Sequence, residues 1–274
     1  MTPPSPLILV RGGGDLASGA VARLHRAGFS VVVLELARPL AVRRLVSFAE
    51  AVYAGEIWVE EMHGVCVGGA EEAARALEAG AVPVWVDPEA ECRQHLRPVA
   101  IVDGRMRKRP PEPGVASSLP VIGLGPGFTA GLDCLAVVET KRGAHLGRVI
   151  WQGNAALDTR VPEPTSGFAE ERVLRSPAAG EVLGLKALGS NVQEGDNVAE
   201  VAGVAVRAKF AGVLRGLMHD GLHVEAGAKL GDIDPRGDPS LCTLISDKAL
   251  AVGGGVLEAV LSQAEIRRQL GAAR

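Results

Sequence analysis

The sequence predicts an α/β protein with an open parallel sheet, a smaller all-β domain and a C-terminal helix. Three observations predict it. Residues 7–11 (LILVR), 16–27 and 30–36 (SVVVLEL) read as strand, helix and strand within about 30 residues, and such a βαβ unit implies a parallel sheet. Residues 176–198 and 208–230 match at a fixed offset of 32, with seven of 23 positions identical, so two halves fold as one small symmetric β unit. From Ser246 onward the pattern turns helical, with Ser246 as N-cap.

The alternation continues after the first unit. Residues 41–53 (AVRRLVSFAEAVY) read as a helix carrying Arg43, Arg44, Ser47 and Glu50 on a polar face, and "EIWVE" and "HGVCV" as a strand pair. The helix "AEEAARALEAG" leads to the strand "PVWVD", then "PVAIVDG", "LPVIGLGPGF" and "DCLAVVET" follow. A Pro/Ser/Gly-rich stretch reads as a linker. The expected division is 1–157 as the α/β domain, 158–171 as linker, 172–235 as the β domain and 236–274 as the C-terminal segment. The apolar residues Leu250, Val256, Leu257, Val260 and Leu261 form the helix's packing face, with a weak spot at Gly253 to Gly255.

Composition narrows the function classes. The 274 residues are 47% hydrophobic and 22% charged, as in ordinary globular chains, and the net charge of −3 gives no support for nucleic-acid binding. The N-terminus lacks a basic leader followed by a long apolar run, and no stretch approaches a membrane span, so the expectation is a cytoplasmic protein without membrane association. Cys66, Cys92, Cys134 and Cys242 form no CxxC pair, which argues against a zinc knuckle or a disulfide framework.

Two glycine turns are the candidate binding elements. Gly12, Gly14 and Ala17 give G-x-G-x-x-A between a strand and a helix, with Gly13 inside it, and Glu35 ends the next strand where a ribose-binding acid falls. This pattern makes the first domain Rossmann-like. Asp15 is expected to cap the helix, occupying amides that a pyrophosphate needs, which steers the loop away from ordinary NAD. The second turn holds Gly123, Gly125 and Gly127, whose amides can form an anion-binding nest, with Thr129, Lys141 and Arg142 nearby in sequence. Both turns lie at carboxyl ends of strands, where open α/β sheets bind ligands. Arg105 and Lys108 are the cations placed to neutralise phosphates, although a solvated loop accounts for them as well. No metal site is assigned: His219 and His223 flank Gly221 in a β turn, and Asp232, Asp234 and Asp238 read as turn acids first and a hard-metal site second. No catalytic nucleophile stands out, and Cys134 reads as a small core thiol.

The β repeat resembles the barrel-sandwich hybrid of biotinyl and lipoyl domains. Its central hairpin, "EVAGVAVRA", has Gly203 near the tip and no lysine, so covalent biotin or lipoate is not expected. Over nearly the whole chain, "GGGDLASGAVARLHRAGF", "AVRRLVSFAEAVY", "GLGPGFTAGLD", "VVETKRGAHLGRVI" and "VEAGAKLGDIDPR" resemble the selenium-dependent molybdenum hydroxylase accessory (YqeB-like) family. That resemblance implies a role in maturing hydroxylases that carry a molybdopterin cofactor, without a settled reaction. The first loop is also loosely similar to the Rossmann part of xanthine dehydrogenase accessory proteins. The ligand expected is a phosphate-bearing small molecule, molybdopterin cofactor or a nucleotide, the partner a molybdenum hydroxylase, and a homo-oligomer is compatible. An NAD(P)-dependent oxidoreductase and a non-catalytic scaffold that docks a hydroxylase stand as alternatives.

Overall fold

A computed structural model of the chain describes residues 5–107, 119–157 and 167–272. It divides into two compact units: Met1–Pro39 with Phe48–Asp158 and Ile245–Arg274, and Leu40–Ser47 with Thr159–Leu244. The fold is mixed α/β, with one large, mostly parallel sheet, smaller antiparallel sheets and C-terminal helices.

The first unit opens with β1 (Leu7–Arg11), α1 (Asp15–Arg26) and β2 (Ser30–Glu35), as the βαβ reading expects. Then come α2 (Ala51–Ala54), β3 (Glu56–Val59), β4 (Met62–Val67), α3 (Ala70–Glu78), β5 (Val82–Val86), α4 (Arg93–Leu96) and β6 (Ala100–Asp103). The unit continues through β7 (Val121–Leu124), β8 (Thr129–Ala130), β9 (Ala136–Val138), β10 (Val149–Ile150) and β11 (Gly153–Asn154), and ends in α5 (Asp247–Leu261) and α6 (Ala264–Ala272). Nine strands lie in the order β10-β9-β7-β6-β1-β2-β5-β4-β3, all neighbours parallel except the edge pairs β10/β9 and β3/β4. Every residue of β1, β2 and β6 is buried, as parallel strands covered on both faces require.

One face is closed by α1 and α5. Ser246 caps α5, its Oγ accepting from Ala249 N at 3.1 Å, as read from the sequence. The expected weak spot at Gly253 to Gly255 is corrected: these glycines lie inside an unbroken α5, and Gly253 and Gly255 serve close approach. A Cβ built at Gly253 falls 2.3 Å from Gly19 O of α1, and one at Gly255 falls 2.2 Å from Gly147 O. Val252, Val256, Ala259 and Val260 join Val21 and Leu24 in the same apolar core. The C-terminal segment is two helices, because the chain breaks at 262–263.

The expected helix over 41–53 is also corrected. Residues 40–43 are irregular, 44–46 and 48–50 form single 3₁₀ turns, and only α2 is α-helical. Ser47 is extended (φ −123°, ψ 117°), and Arg43 and Arg44 are spent on main-chain carbonyls of the second unit's own strands and turns, so tertiary bonds override helix periodicity.

The second unit holds β12 (Val173–Arg175), β13 (Gly180–Gly184), β14 (Asn191–Val192), β15 (Asn197–Val201), β16 (Val204–Arg207), β17 (Gly212–Leu217), β18 (His223–Val224) and β19 (Lys229–Asp234). The sequence repeat is a structural repeat. Strands β13, β14 and β15 begin 32 residues before β17, β18 and β19. The two sheets, β12-β19-β17-β14 and β16-β15-β13-β18, have matching order once β12 is equated with β16. Each half lends a strand to the other's sheet: β14 pairs with β17 and β13 with β18. The β15–β16 hairpin turns through Ala202 (φ 50°) and Gly203 (φ 77°), the positive-φ pair of a tight hairpin turn. Of the predicted linker, residues 158–166 lie outside the described residues, and Phe168 stacks on Phe210 at 4.2 Å between centroids.

Candidate functional site

The strand order of the first unit reverses at β1, with β2 on one side and β6 on the other. Ligands of open α/β sheets sit at the carboxyl ends beside such a point. Here these ends bring together the loop Gly12–Gly14 after β1, Gly104 and Arg105 after β6, and the turn through Gly125 and Gly127 after β7.

The first glycine loop is held from within the unit. Gly12, at φ +86°, donates its N–H to Leu34 O at 2.7 Å. Gly13 N–H donates to Glu35 Oε1 at 2.6 Å, while Gly13 O accepts from Ala49 N at 3.0 Å and from Ser18 Oγ at 3.1 Å. Side chains cannot be added cheaply: a Cβ at Gly13 falls 2.7 Å from Ala49 N, and one at Gly12 falls 3.3 Å from the Arg105 backbone. Gly14 differs. It occupies the N-cap position of α1 at φ −70°, and a Cβ there meets nothing within 4 Å.

Asp15 is therefore not the cap. It is the first residue of α1, one position beyond Gly14, where its charge complements the helix dipole. Glu35 sits at the strand end the motif predicts, but both its oxygens are engaged. Oε2 accepts from Leu36 N at 2.8 Å, so the carboxylate buttresses the loop. Burial pushes its pKa up, against the lowering effect of the two amides.

The cationic element beside it is Arg105. Its Nε and Nη2 reach Asp103 Oδ1 and Oδ2 at 3.0 and 2.6 Å in a fork, and Arg11 Nη1 lies 3.9 Å from the same carboxylate. Lys108 lies outside the described residues. Sequence reasoning missed Arg11, Asp103 and Glu139, each buried at a strand's carboxyl end. Glu139 accepts from Lys141 N and Ala156 N, both at 2.7 Å. The available signal was a charged residue directly terminating a fully apolar strand, as in "LILVR", "AIVD" and "AVVE".

The second glycine turn is packed by protein atoms. A Cβ at Gly123 would sit 2.4 Å from the Phe128 ring, and one at Gly127 would sit 2.2 Å from Arg107 O. Gly125, at φ +76°, lies against the buried Thr140, whose Oγ1 is 3.0 Å from such a Cβ. Thr129 N donates to Asp133 Oδ2 at 2.9 Å. Arg142 pairs in a fork with Asp247, both bonds 2.7 Å. Cys134 is buried, its Sγ 3.3 Å from Ala136 O, and burial pushes its thiol pKa up to about 11, the opposite of what a nucleophile needs.

In the second unit, two of the three expected turn acids are corrected. Asp232 and Asp234 lie inside β19, each 1% exposed. Arg215 bridges them, with Nε 2.9 Å from Asp232 Oδ2 and Nη1 3.2 Å from Asp234 Oδ2, while Arg236 grips Asp234 and Arg172 approaches Asp232 at 3.4 Å. Asp238 is the turn acid read from sequence, accepting from Ser240 N at 2.9 Å. Among the described residues, no three His, Cys, Asp or Glu side chains cluster as metal ligands.

These features define a mixed α/β protein with a candidate anion site at the carboxyl ends of a parallel sheet. The chain is 44% identical over 255 residues to the uncharacterized protein YqeB of Escherichia coli (strain K12), a match over 93% of this chain and 47% of that protein. The likeness supports the YqeB-like family read from the motifs, and the chain spans about half the length of the curated relative it matches. No family model matches. Among solved structures it is similar to the product-bound ectoine utilization protein EutE from Ruegeria pomeroyi (13% identity, 82% of this chain, 56% of that one, TM-score 0.24). Two others are an aspartoacylase family protein from Mesorhizobium loti (10%, 85% of each chain, TM-score 0.25) and a succinylglutamate desuccinylase from Silicibacter sp. TM1040 (16%, 84% of each, TM-score 0.25). No helix among the described residues is long and apolar enough to cross a membrane.

Proposed function

We propose that the first unit binds a phosphate-bearing small molecule, molybdopterin cofactor or a nucleotide, and that the chain serves the maturation of molybdenum hydroxylases, including selenium-dependent ones. One observation carries the binding half. Two glycine turns and the Arg11–Asp103–Arg105 cluster meet at the carboxyl ends of the adjacent strands β1, β6 and β7, where the strand order reverses. Gly14 is the open point of the first turn, at the amino end of a 12-residue helix that favours negative charge. The hydroxylase half rests on the motifs shared with the YqeB-like family, and takes a molybdenum hydroxylase as partner in the cytoplasm.

The finer fold reading belongs to the same proposal. The first unit is Rossmann-like, and the second is of barrel-sandwich type, supported by strand exchange between its two halves. Its hairpin tip, Ala202 and Gly203, offers no lysine for biotin or lipoate. The NAD(P)-oxidoreductase alternative finds less support, because Glu35 spends both oxygens on main-chain amides instead of presenting them to a ribose.

Extraction and mass spectrometry of the purified protein, followed by calorimetric titration with molybdopterin and a nucleotide panel, test the binding half. Gly14→Val is the informative variant, since open space at that position lets the protein fold. Its melting temperature is expected to fall only by the small amount that a poorer N-cap costs, while affinity falls at least about tenfold, equivalent to about 1.4 kcal/mol. Unchanged affinity would overturn the placement. In the producing cell, deletion is expected to leave hydroxylase polypeptide present but inactive, and full hydroxylase activity would overturn the maturation role.

A further inference from the structure

The internal repeat of the second unit has one face covered and its counterpart bare. Backbone pairing shows the correspondence. Leu183 pairs with Glu200 and Gly184 with Ala199 in one half. Gly216 pairs with Asp232 and Leu217 with Gly231 in the other. Glu200 and Asp232 are one repeat apart, so Leu183 corresponds to Gly216, and Arg215 is the extra residue of the bulge in β17. One step further, Leu185 N donates to Val198 O at 3.0 Å and Met218 N to Leu230 O at 2.8 Å, which equates Leu185 with Met218.

Segment 40–47, LAVRRLVS, covers the second of these faces. A Cβ at Gly216 would lie 2.8 Å from Val42 Cγ1, so Val42 takes the space that Leu183 fills in the other half. Leu217 N donates to Val42 O at 2.9 Å, and Arg44 Nε donates to Leu217 O at 2.8 Å. Met218 is left 8% exposed. Among the described residues, no segment does this in the other half. Gly184 N, the counterpart of Leu217 N, donates instead to the carboxylate of Asp220 at 2.8 Å. Leu183 and Leu185 stand 51% and 45% exposed. They alternate along the chain onto one face with the exposed Glu181, and Glu200 sits across from Leu183.

We propose that this bare face of β13 and β15 is a docking surface for a short, non-helical segment of a partner protein that combines aliphatic side chains with arginine, the chemistry of segment 40–47. Its aliphatic groups cover Leu183 and Leu185, and its guanidinium groups meet the carboxylates of Glu181 and Glu200. Asp220 already satisfies the Gly184 amide, so side chains, not a main-chain ladder, hold the segment. The surface lies wholly in the second unit and does not depend on the ligand reading of the first.

A fluorescent peptide of sequence LAVRRLVS, titrated into the full chain and followed by anisotropy, tests it. Saturable binding is expected, weakened at least tenfold in a Leu183→Ser/Leu185→Ser double variant and at least threefold by Glu200→Lys. Both sites are surface positions, and an unchanged melting temperature confirms folding. A peptide with both arginines replaced by glutamate is expected not to bind. Three results would overturn the proposal. They are no binding up to millimolar peptide, binding equal in wild type and double variant (as when the peptide displaces the resident segment at Gly216), and concentration-dependent self-association abolished by the double variant, which would make a second copy the occupant.

Discussion

Glu35 Oε1 accepts the Gly13 amide at 2.6 Å, so the acid that ends β2 fixes the glycine loop that follows β1. Glu35→Ala would leave the buried Gly13 N–H, and that of the exposed Leu36, without their acceptor. The expected cost is about 1–3 kcal/mol in denaturant unfolding at neutral pH. Glu35→Gln supplies the pH test. Burial raises the carboxyl pKa in the folded state, so this group's stabilisation is full below its unfolded value, about 4.3, and is lost as pH rises through the folded value. The stability advantage of wild type over Glu35→Gln should therefore shrink from about pH 4 upward. An advantage that grows with pH would contradict the raised pKa.

The crossing of α1 and α5 makes opposite predictions for two neighbouring glycines. Gly253→Ala places a Cβ 2.3 Å from Gly19 O, a backbone atom that cannot rotate away, and should destabilise by about 1–3 kcal/mol. Gly254→Ala meets open space in the same helix and should stabilise by about 0.5–1 kcal/mol. Thermal melts of the two variants, measured side by side, decide it. Equal shifts would mean the helices do not cross through these glycines.

The arginine cluster of the second unit predicts acid sensitivity. Burial pushes the Asp234 pKa up, but the guanidinium groups of Arg236 and Arg215 outweigh it and hold the carboxyl at about 2. A depressed value stabilises above the unfolded pKa, about 3.9, and the contribution is lost as pH falls through about 2. Asp234→Asn should cost about 1–3 kcal/mol near neutrality, because Arg215 then keeps only Asp232 as a partner charge and the half-exposed Arg236 loses the carboxylate it grips. The gap from wild type should narrow as pH drops from about 4 towards 2. A constant gap across that range would show that Asp234 is not held as an ion.

Cys134 should resist chemistry in the native protein. With its thiol buried and its pKa near 11, it is expected to react with a disulfide reagent at pH 8 only on the timescale of unfolding. Cys134→Ala should keep ligand affinity within twofold. Rapid native-state labelling at this residue would reopen a sulfur- or selenium-transfer role.

The sheet was legible because its strands are covered on both faces and therefore appear as uninterrupted apolar runs such as LILV and SVVVL. The β repeat was legible because glycine turns at a spacing of 32 mark backbone geometry that side chains do not disguise. Segment 40–47 was not: its aliphatic and arginine spacing fits a helix, and only its bonds to Leu217 and Leu241 explain why it is none. In the site, the positions of Gly14 and Glu35 were readable, while the engagement of Glu35 with Gly13 was not, since a strand-terminal acid looks the same whether it faces ligand or loop. Gly253 shows the same limit. A glycine read as helix weakness is, in three dimensions, the only residue small enough for the crossing.

The first unit is completed only by its C-terminal helices, and this has a consequence during synthesis. The face of α1 that packs on α5 is translated with residues 15–26, while Asp247–Leu261 follows more than two hundred residues later. At ribosomal rates of about 5–20 residues per second, that face waits roughly 10–50 s for its cover. The intervening β repeat, by contrast, draws most of its pairing from residues 173–234 and can close while the nascent chain is still tethered. The α1 face of the nascent parallel sheet thus stays uncovered until Gly253 is available to pack against Gly19.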